Sequence, residues 1–390
     1  MKRIKLVALV VAAGLAATAF AQSGRTLEEV KAEAQARADR NAYPLIGLKP
    51  DEVREALARL KSLEPDDWAA AWSPLGERHM QRKDFHQAWL YYSFARWPVP
   101  NSPGKEKAYA HALEAYWQYA KKYNPPLEIM KVPYEGNEVV GYLRMPKKDG
   151  KSDARNIPFI IAVAGLDSRK EEMIERFGPL AERGIGVLAL DSPGTGQSGV
   201  KPVVPGADKS LSRVLDAVLA RPEVDPKRVA LYGGSYGGYW ATILAVTERS
   251  RLRAVVAQSP AVHESFSRER TMSLAKNREY LFDYVPAQMF TYGVKTIEEL
   301  ADAKEKMSLK TRGILEQPMA PMLVIAGALD TQVPIADIDI LMRSGDSPKD
   351  LWVHPRGGHM GRDPKTWPDP VIFKRVTTPW LFKALEVDAG

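Results

Sequence analysis

One serine of the sequence stands at a sharp turn between two apolar stretches. Val229–Tyr232 predicts a short buried strand, and the residues from Tyr236 onwards predict a helix. The pentapeptide GGSYG at 233–237 is a G-x-S-x-G pattern, in which the glycines let the chain turn sharply. Ser235 is therefore expected to project its hydroxyl from the end of a sheet, beside the first amides of a helix. A serine hydroxyl attacks a carbonyl efficiently only when a base takes its proton, so a histidine and a carboxylate are needed as well.

The base and its carboxylate can be chosen by their positions in the chain. His359 is flanked by glycines in RGGHMG, on a loop after the last predicted strand. Asp330 ends the stretch MLVIAGALD, and the carboxyl ends of strands carry the ligand sites of open α/β sheets. Ser235, Asp330 and His359 occur in the order serine, acid, histidine, each on a loop at the same predicted sheet edge. Asp337 and Asp339 fall on the following helix and are interpreted as solvent-exposed.

Acyl transfer also needs hydrogen-bond donors for the oxyanion that develops on the attacked carbonyl. The amide of Tyr236, directly after the serine, is one predicted donor. The amide of Leu166, in the loop after the strand IPFIIAV, is the second, and Gly165 allows close approach there. Two interpretations of the next residue, Asp167, stay open. It is either an auxiliary or substrate-binding acid near the triad, or a cap for a helix that begins near Ser168.

The elements that must position these residues change in character along the chain. Residues 22–125 predict an all-helical cap domain, with helical spacing in stretches such as TLEEVKAEAQARADR and PGKEKAYAHALEAYWQYAKKY. From residue 126 a strand hairpin is followed by alternating strands and helices, which predicts a mostly parallel sheet covered on both faces. This α/β catalytic domain spans 126–390 and carries an aromatic-rich insertion at about 264–316, which is predicted to be a lid.

A second glycine-rich motif has to be weighed against a nucleotide site. DSPGTGQSG contains Gly194, Gly196 and Gly199, a G-x-G-x-x-G after a predicted strand. A dinucleotide site requires a helix that opens on the last glycines. Here VKPVVPGADKS follows, with two prolines and no helical period, so the motif is interpreted as a turn-rich loop.

The first 21 residues predict a signal peptide. The basic start MKRIK precedes the apolar run Leu6–Phe20, and the small residues of AFA fit a cleavage site after Ala21. The apolar run is too short to cross a bilayer comfortably, and no later segment has the length and apolarity of a membrane helix. The protein is therefore expected to be periplasmic or secreted. The absence of cysteine suits an exported protein whose core is large enough to do without disulfides.

The charge of the chain does not favour nucleic acid as a partner. The net charge is +7, and cleavage after Ala21 removes three basic residues and no acids, which leaves 52 basic against 48 acidic residues. No run of lysine and arginine indicates a nucleic-acid surface. The sequence contains no metal-ligand cluster or cofactor motif. The expected partner is a small-molecule substrate, with no cofactor, and homodimerisation stays open.

Several of these motifs together resemble a known superfamily. The GGSYG turn, DSPGTGQS after a strand, and the Asp330 and His359 loops resemble the α/β-hydrolases over roughly residues 126–390. The stretch VAGLDSRKEEMIERFGPLAERGIGVLALDSPGTGQSG is similar to the branch of dihydroxypseudooxynicotine hydrolase, the fermentation–respiration switch protein and fungal pigment hydrolases. This resemblance implies a helical segment before the hydrolase domain and, for several members, cleavage of carbon–carbon bonds in β-diketone-like substrates. In that group the matching loop often carries a glutamate implicated in the site, and Asp167 stands in its place.

These observations predict an exported serine hydrolase that cleaves an ester or related acyl bond of a small to medium substrate through Ser235, Asp330 and His359. Three alternatives stay open. The same triad could hydrolyse a carbon–carbon bond of the β-diketone type. GGSYGGYW also resembles the prolyl oligopeptidase group of serine peptidases, although residues 22–125 are too helical for the β-propeller that usually precedes that catalytic domain. The chain could also be a catalytically inert binding protein on a hydrolase scaffold.

Overall fold

A computed structural model describes residues 24–146 and 156–388 of the chain. The predicted signal peptide, residues 1–21, lies outside the described residues. The chain divides into two compact units. Residues up to Ala120 and the segment Ser273–Phe290 form the first, and Lys121–Met272 with the residues from Thr291 onwards form the second. The boundary after Ala120 lies close to the predicted boundary at 125.

Five helices make up most of the first unit. They are α1 (Leu27–Asp39), α2 (Pro50–Arg59), α3 (Pro65–Gln81), α4 (Phe85–Ala95) and α5 (Pro103–Ala120). Thr26 and Glu29 form a capping box at the start of α1, because the side chain of each accepts the backbone N–H of the other, at 3.2 and 2.7 Å. Helices α2, α3 and α5 begin on proline, which has no N–H to leave unsatisfied in the first turn.

An aromatic core packs these helices together. Trp68 and Trp72 on α3 are fully buried against Phe94 on α4, with ring centroids 5.1 and 4.5 Å from that of Phe94. The indole N–H of Trp68 donates to the Phe94 carbonyl at 2.8 Å, which satisfies the polar atom that this packing buries.

Part of the predicted lid belongs to this same core. Tyr280, Leu281 and Phe282 are buried in the hydrophobic cluster of the N-terminal helices. The Phe282 ring lies 4.4 Å from the Trp68 ring, and the Tyr280 ring stacks 5.1 Å from that of Trp97. The stretch 264–316, predicted as one insertion, is thus divided between the two units, because its aromatic side chains complete the core of the helical one.

The second unit is built on a sheet of eight strands. They are β1 (Glu128–Tyr134), β2 (Asn137–Arg144), β3 (Ile157–Val163), β4 (Gly186–Leu190), β5 (Val224–Gly234), β6 (Ala254–Gln258), β7 (Met322–Gly327) and β8 (Lys349–His354). Their order in the sheet is β1-β2-β4-β3-β5-β6-β7-β8. The pairs β1-β2 and β2-β4 are antiparallel, and all later neighbours are parallel. Strands β3, β4, β6 and β7 are buried along their whole length, as in a sheet covered on both faces, so the predicted mostly parallel α/β sheet is confirmed.

The remaining helices follow the strands in the chain. They are α6 (Lys170–Phe177), α7 (Lys209–Leu219), α8 (Tyr236–Thr247), α9 (Arg268–Met272), α10 (Tyr284–Tyr292), α11 (Ile297–Glu305), α12 (Ile335–Arg343), α13 (Asp369–Ile372) and α14 (Thr378–Ala384). Two of these helical stretches are interrupted near prolines, which cannot donate an N–H. Helix α6 passes into a 3₁₀ segment, Gly178–Arg183, and a π-helical turn, Phe373–Thr377, separates α13 from α14.

Candidate active site

Ser235 lies at the corner between β5 and α8. Its backbone angles, φ 55° and ψ −118°, are strained for a residue with a side chain. Glycines make the corner possible, because a Cβ on Gly233 would overlap with the Gly237 carbonyl, and one on Gly237 would lie 2.5 Å from the Val163 carbonyl oxygen. The Ser235 N–H donates to the Gln258 carbonyl at 2.7 Å, which fixes the corner against β6. The predicted strand–turn–helix arrangement is confirmed.

The three predicted triad residues are joined by one chain of hydrogen bonds. His359 Nε2 lies 2.7 Å from Ser235 Oγ, and His359 Nδ1 lies 2.9 and 3.1 Å from the two carboxylate oxygens of Asp330. His359 and Asp330 are buried, whereas Ser235 is partly exposed. A carboxylate on Nδ1 keeps a proton on that nitrogen, so Nε2 presents its lone pair to the serine hydroxyl. The arrangement can therefore take the proton of Ser235 during attack on a carbonyl.

The carboxylate of Asp330 is held in its ionised form. Burial raises its pKa, but the charge of His359 and hydrogen bonds from His359, Val333 and Ser259 outweigh burial, so the pKa lies below its usual value. The backbone N–H groups of Gln332 and Val333 donate to Oδ1 at 2.9 and 2.8 Å, and the Ser259 hydroxyl donates to Oδ2 at 2.9 Å. Asp330 can therefore orient His359 and stabilise the imidazolium that forms during proton transfer.

The predicted oxyanion donors belong to two backbone segments that meet beside the serine. Within the described part of the chain, neither the Tyr236 amide nor the Leu166 amide donates a hydrogen bond to another residue. A Cβ placed on Gly165 would lie 3.7 Å from the Ser235 Cβ, so the loop after β3 packs directly against the nucleophile corner. Both amides are thus available to a ligand at this edge of the sheet.

Side-chain hydrogen bonds fix the shape of the loop after β3. The Gly165 N–H donates to Ser168 Oγ at 2.8 Å, and the buried Arg169 guanidinium donates to the Leu166 carbonyl at 3.0 Å. These bonds use the carbonyl of Leu166 and the amide of Gly165, and they do not involve the Leu166 amide.

Asp167 lies in this loop and is half-buried. Helix α6 begins at Lys170, and its N-cap is Arg169, whose N–H donates to the Glu172 carboxylate at 3.2 Å. The helix therefore starts two residues later than the predicted start near Ser168, and the interpretation of Asp167 as its cap is wrong. The other interpretation, an acid that serves the site, stays a prediction.

Sequence reasoning missed the role of Asp191, the first residue of DSPGTGQS. Its buried carboxylate accepts the N–H groups of Lys170 and Gln197 at 2.8 Å each and pairs with the Lys170 ammonium at 3.3 Å. Burial raises the pKa of Asp191, but the charges of Lys170 and Arg169 and the two amide bonds lower it below its usual value. A Cβ on Gly196 would overlap with this carboxylate. The motif is thus a turn-rich loop that passes Asp191 closely at Gly196, and Asp191 anchors the start of α6. An aspartate directly after a buried strand was the available signal.

The interpretation of Asp337 as solvent-exposed is wrong, whereas Asp339 is exposed. The Asp337 carboxylate is fully buried and accepts the N–H groups of His263, Glu264 and Ser265 and the Ser265 hydroxyl, at 2.5 to 3.0 Å. These amides lie at the start of the 3₁₀ turn Glu264–Phe266, where the turn itself offers them no acceptor, and the carboxylate supplies it. Helical periodicity could not identify this contact, because it does not show which loop a helix packs against.

The described residues, 24–146 and 156–388, provide neither a metal-ligand cluster nor a membrane-spanning helix. Within those ranges, no group of three or more histidine, aspartate and glutamate side chains is arranged to hold a metal ion. The helices of the same described ranges include none with the length and apolarity needed to cross a membrane.

Comparison with known proteins identifies a matching family model. The family model described as esterase FrsA-like matches residues 70–355. Among curated proteins, the chain is similar to Esterase FrsA of Vibrio parahaemolyticus, with 25% identity over 312 residues that cover 73% of each protein. It is also similar to Esterase FrsA of Vibrio vulnificus, with 26% identity and 73% of each protein covered.

Solved structures share the fold. Wild-type AbyA5 superposes with a TM-score of 0.72 at 21% identity, covering 93% of this chain and 96% of that one. The structure of 2,6-dihydroxy-pseudo-oxynicotine hydrolase gives a TM-score of 0.70 at 20% identity, covering 90% and 95%. The predicted α/β-hydrolase fold with an N-terminal helical region is confirmed, and so is the predicted resemblance to this branch.

Proposed function

Because the chain belongs to the FrsA-like esterase family, we propose that it is a serine hydrolase that cleaves an ester or related acyl bond of a small to medium substrate. Ser235 is the nucleophile, His359 is the base and then the acid, and Asp330 orients His359. The observation that most supports this proposal is the unbroken hydrogen-bond chain from Asp330 through His359 to Ser235.

The geometry supports acyl transfer in two steps. His359 Nε2 takes the proton of Ser235 as Oγ attacks the carbonyl carbon, and it passes that proton to the leaving alcohol oxygen. Water then attacks the acyl-enzyme, with the same Nε2 taking its proton and returning it to Oγ. In both steps the ionised Asp330 stabilises the imidazolium form of His359.

The amides of Tyr236 and Leu166 are the proposed oxyanion donors. Helix α8 begins at Tyr236, so the positive end of its dipole lies beside Ser235. The Leu166 amide comes from the loop that packs against the same corner. A single donor of this kind typically contributes on the order of 10²–10³ in kcat.

Export is part of the proposal. It rests on the sequence of residues 1–21, with its basic start, apolar run and small-residue site. Expression of the full chain in a Gram-negative host should give a periplasmic protein whose N-terminal residue is Gln22. A cytoplasmic product that retains residues 1–21 would contradict export.

Labelling with a fluorophosphonate tests the nucleophile, because this reagent reacts with activated serines. Wild-type protein should be labelled, and Ser235→Ala should not. Ser212→Ala, which removes a serine from α7, is the matched control and should be labelled at the wild-type rate. Equal labelling of the Ser235→Ala and wild-type proteins would overturn the assignment.

A substrate panel tests the class of reaction. Chromogenic esters of increasing acyl length should be hydrolysed, and Ser235→Ala should lose at least about 10⁴ in kcat. Faster turnover of a β-diketone than of any ester would indicate carbon–carbon bond hydrolysis, and faster turnover of an aminoacyl anilide would indicate a peptidase. A purified protein that is neither labelled nor active on any of them would be the inert binding protein.

A further inference from the structure

Two consecutive residues at the end of β6 form hydrogen bonds to Ser235, to Asp330 and to the residue that follows His359. Gln258 is the last residue of β6, Ser259 follows it, and both are buried. We propose that Gln258 and Ser259 are positioning residues, which hold the nucleophile, the acid and the histidine loop at the distances that catalysis needs. This inference rests on the proposed triad, since the two side chains act on it through hydrogen bonds and not on the substrate.

The Ser259 hydroxyl connects the acid to the histidine loop. It lies 2.9 Å from Asp330 Oδ2 and 3.0 Å from the backbone nitrogen of Met360, the residue after His359. A backbone N–H can only donate, so the hydroxyl accepts from Met360 and gives its own proton to the carboxylate. The Ser259 N–H donates to the Ile325 carbonyl on β7 at 2.7 Å, which fixes the residue from the other side.

Gln258 connects the nucleophile to the same loop. Its backbone carbonyl accepts the Ser235 N–H at 2.7 Å, and its side-chain Nε2 donates to the Met360 carbonyl at 2.8 Å. The Tyr232 hydroxyl donates to Oε1 at 2.7 Å. Exchange of the oxygen and nitrogen of the amide would place an oxygen against the Met360 carbonyl, which can only accept, so the bond to Met360 requires the observed orientation. Arg176 in turn donates to the Tyr232 hydroxyl at 3.2 Å. The orientation of the amide is thus set by the protein around it.

Both residues bind the backbone of Met360. Its φ of 67° is left-handed, a conformation that side chains disfavour and that persists only where the surroundings hold it. Ser259 binds its N–H and Gln258 binds its carbonyl, so both polar groups of its backbone are held by the pair. Because Met360 directly follows His359, these bonds fix the direction from which the imidazole approaches Ser235.

Removing the Ser259 hydroxyl tests this inference with the least disturbance. For Ser259→Ala we expect kcat on an ester to fall about tenfold to a hundredfold, the range of a hydrogen bond to a charged group. KM should stay within about twofold, because the residue does not act on the substrate directly. Without the Ser259 hydroxyl, the Asp330 carboxylate loses one hydrogen bond, and its negative charge stabilises the imidazolium form of His359 more strongly. The acidic limb of the kcat/KM profile should therefore move to higher pH.

Ser259→Gly separates positioning from backbone strain. The φ of Ser259 is 48°, which glycine adopts freely, so this variant loses the hydroxyl while the strain is relieved. Both variants should lose kcat and shift the pH profile, although Ser259→Gly should have the higher Tm. If Ser259→Gly instead regains the wild-type kcat together with the higher Tm, the role of the hydroxyl is only structural and the inference is overturned.

Ser265→Ala is the matched control. Ser265 is also a buried serine that donates to a buried carboxylate, that of Asp337 at 2.5 Å, but this pair is outside the hydrogen-bond chain of the triad. Its variant should keep the wild-type kcat and pH profile even where its Tm falls. An equal loss of kcat in Ser265→Ala would mean that any buried serine has this effect, and the inference would fail.

Gln258→Met tests the second residue. Methionine keeps the backbone carbonyl that binds Ser235 but removes the donor to Met360, so kcat and the rate of fluorophosphonate labelling should both fall. If Ser235→Ala is inactive while the Ser259 and Gln258 variants keep the wild-type kcat and pH profile, the triad stands and the positioning role is refuted. If Ser235→Ala keeps its activity, the proposed function fails and the positioning role fails with it.

Discussion

Replacing Asp330 by asparagine should remove most of the activity without unfolding the protein. Oδ1 of Asp330 accepts the N–H groups of Gln332 and Val333, while Oδ2 faces the Ser259 hydroxyl and lies nearest to His359 Nδ1. An asparagine that keeps its oxygen on the two backbone amides places Nδ2 toward Ser259 and His359. The two N–H groups of Nδ2 then meet Ser259 Oγ and Nδ1 of the imidazole, both of which can accept.

The substitution lowers kcat because it changes the tautomer of His359. When Nδ1 accepts a hydrogen bond, the neutral imidazole carries its proton on Nε2, and that nitrogen can no longer take the proton of Ser235. The same change in serine proteases lowers kcat by about 10⁴, which corresponds to about 5 kcal/mol of activation free energy. Stability should fall less than on complete removal of the side chain, because the Gln332 and Val333 amides keep their acceptor and only the Ser259 hydroxyl proton loses one.

The assay compares kcat, KM and Tm of three proteins on one chromogenic ester. Asp330→Asn should lose kcat with a smaller fall in Tm than Asp330→Ala. Asp330→Ala leaves the Gln332 and Val333 amides without their acceptor and should lower the free energy of unfolding by about 1–3 kcal/mol. An asparagine variant that keeps kcat within about tenfold of wild type, with an unchanged Tm, would refute the tautomer argument.

Two further substitutions test charges around the site. Asp167→Asn tests the interpretation of Asp167 as an acid that serves the site: turnover should fall at least about tenfold at a preserved Tm, and the pH profile should lose one limb, whereas an unchanged kcat and pH profile would remove Asp167 from the site. Burial raises the pKa of Asp369, but the charges of Arg176 and Arg362 outweigh burial and lower this pKa from 3.8 to about 2. The ionised Asp369 therefore stabilises the fold above about pH 4, and this contribution is lost as the pH falls toward 2. Asp369→Asn should therefore cost about 2 kcal/mol at neutral pH, and a Tm deficit that does not shrink between about pH 4 and 2 would contradict this.

The triad could be predicted because each member has a local signature. Ser235 stands in a glycine pattern between a strand and a helix, Asp330 directly follows a buried apolar run, and His359 lies among glycines after the last strand. In a parallel sheet all such positions lie at the carboxyl edge, whichever way the strands are ordered. The prediction therefore required only that each residue follow a strand and so lie at the carboxyl edge. It did not require the order of the strands in the sheet.

Other parts of the structure depend on packing that local patterns do not encode. Asp337 lies on a helix, as the sequence predicts, but its burial depends on three amides that follow another strand. The aromatic residues of Ser273–Phe290 are conspicuous in the sequence, but nothing in their spacing shows that they complete the core of the helical unit. In both cases the partner lies far away in the sequence, and periodicity identifies a face without identifying what covers it.

The order of the strands explains why Gln258 and Ser259 escaped sequence reasoning and why they lie where they do. Strand β6 lies between β5, which leads into Ser235, and β7, which precedes Asp330. Neighbouring strands are about 4.8 Å apart, so groups at the end of β6 are within one hydrogen bond of both neighbours. His359 follows β8, one strand further away, and its loop passes over the end of β7.

Gly327, the last residue of β7, makes this passage possible, because a Cβ there would overlap with the carbonyl oxygens of Gly357 and Gly358. The histidine loop thereby reaches the end of β6, where Met360 meets Gln258 and Ser259. The geometry of the triad thus depends on a strand end between two catalytic residues, and only the folded order of the sheet gives that position its importance.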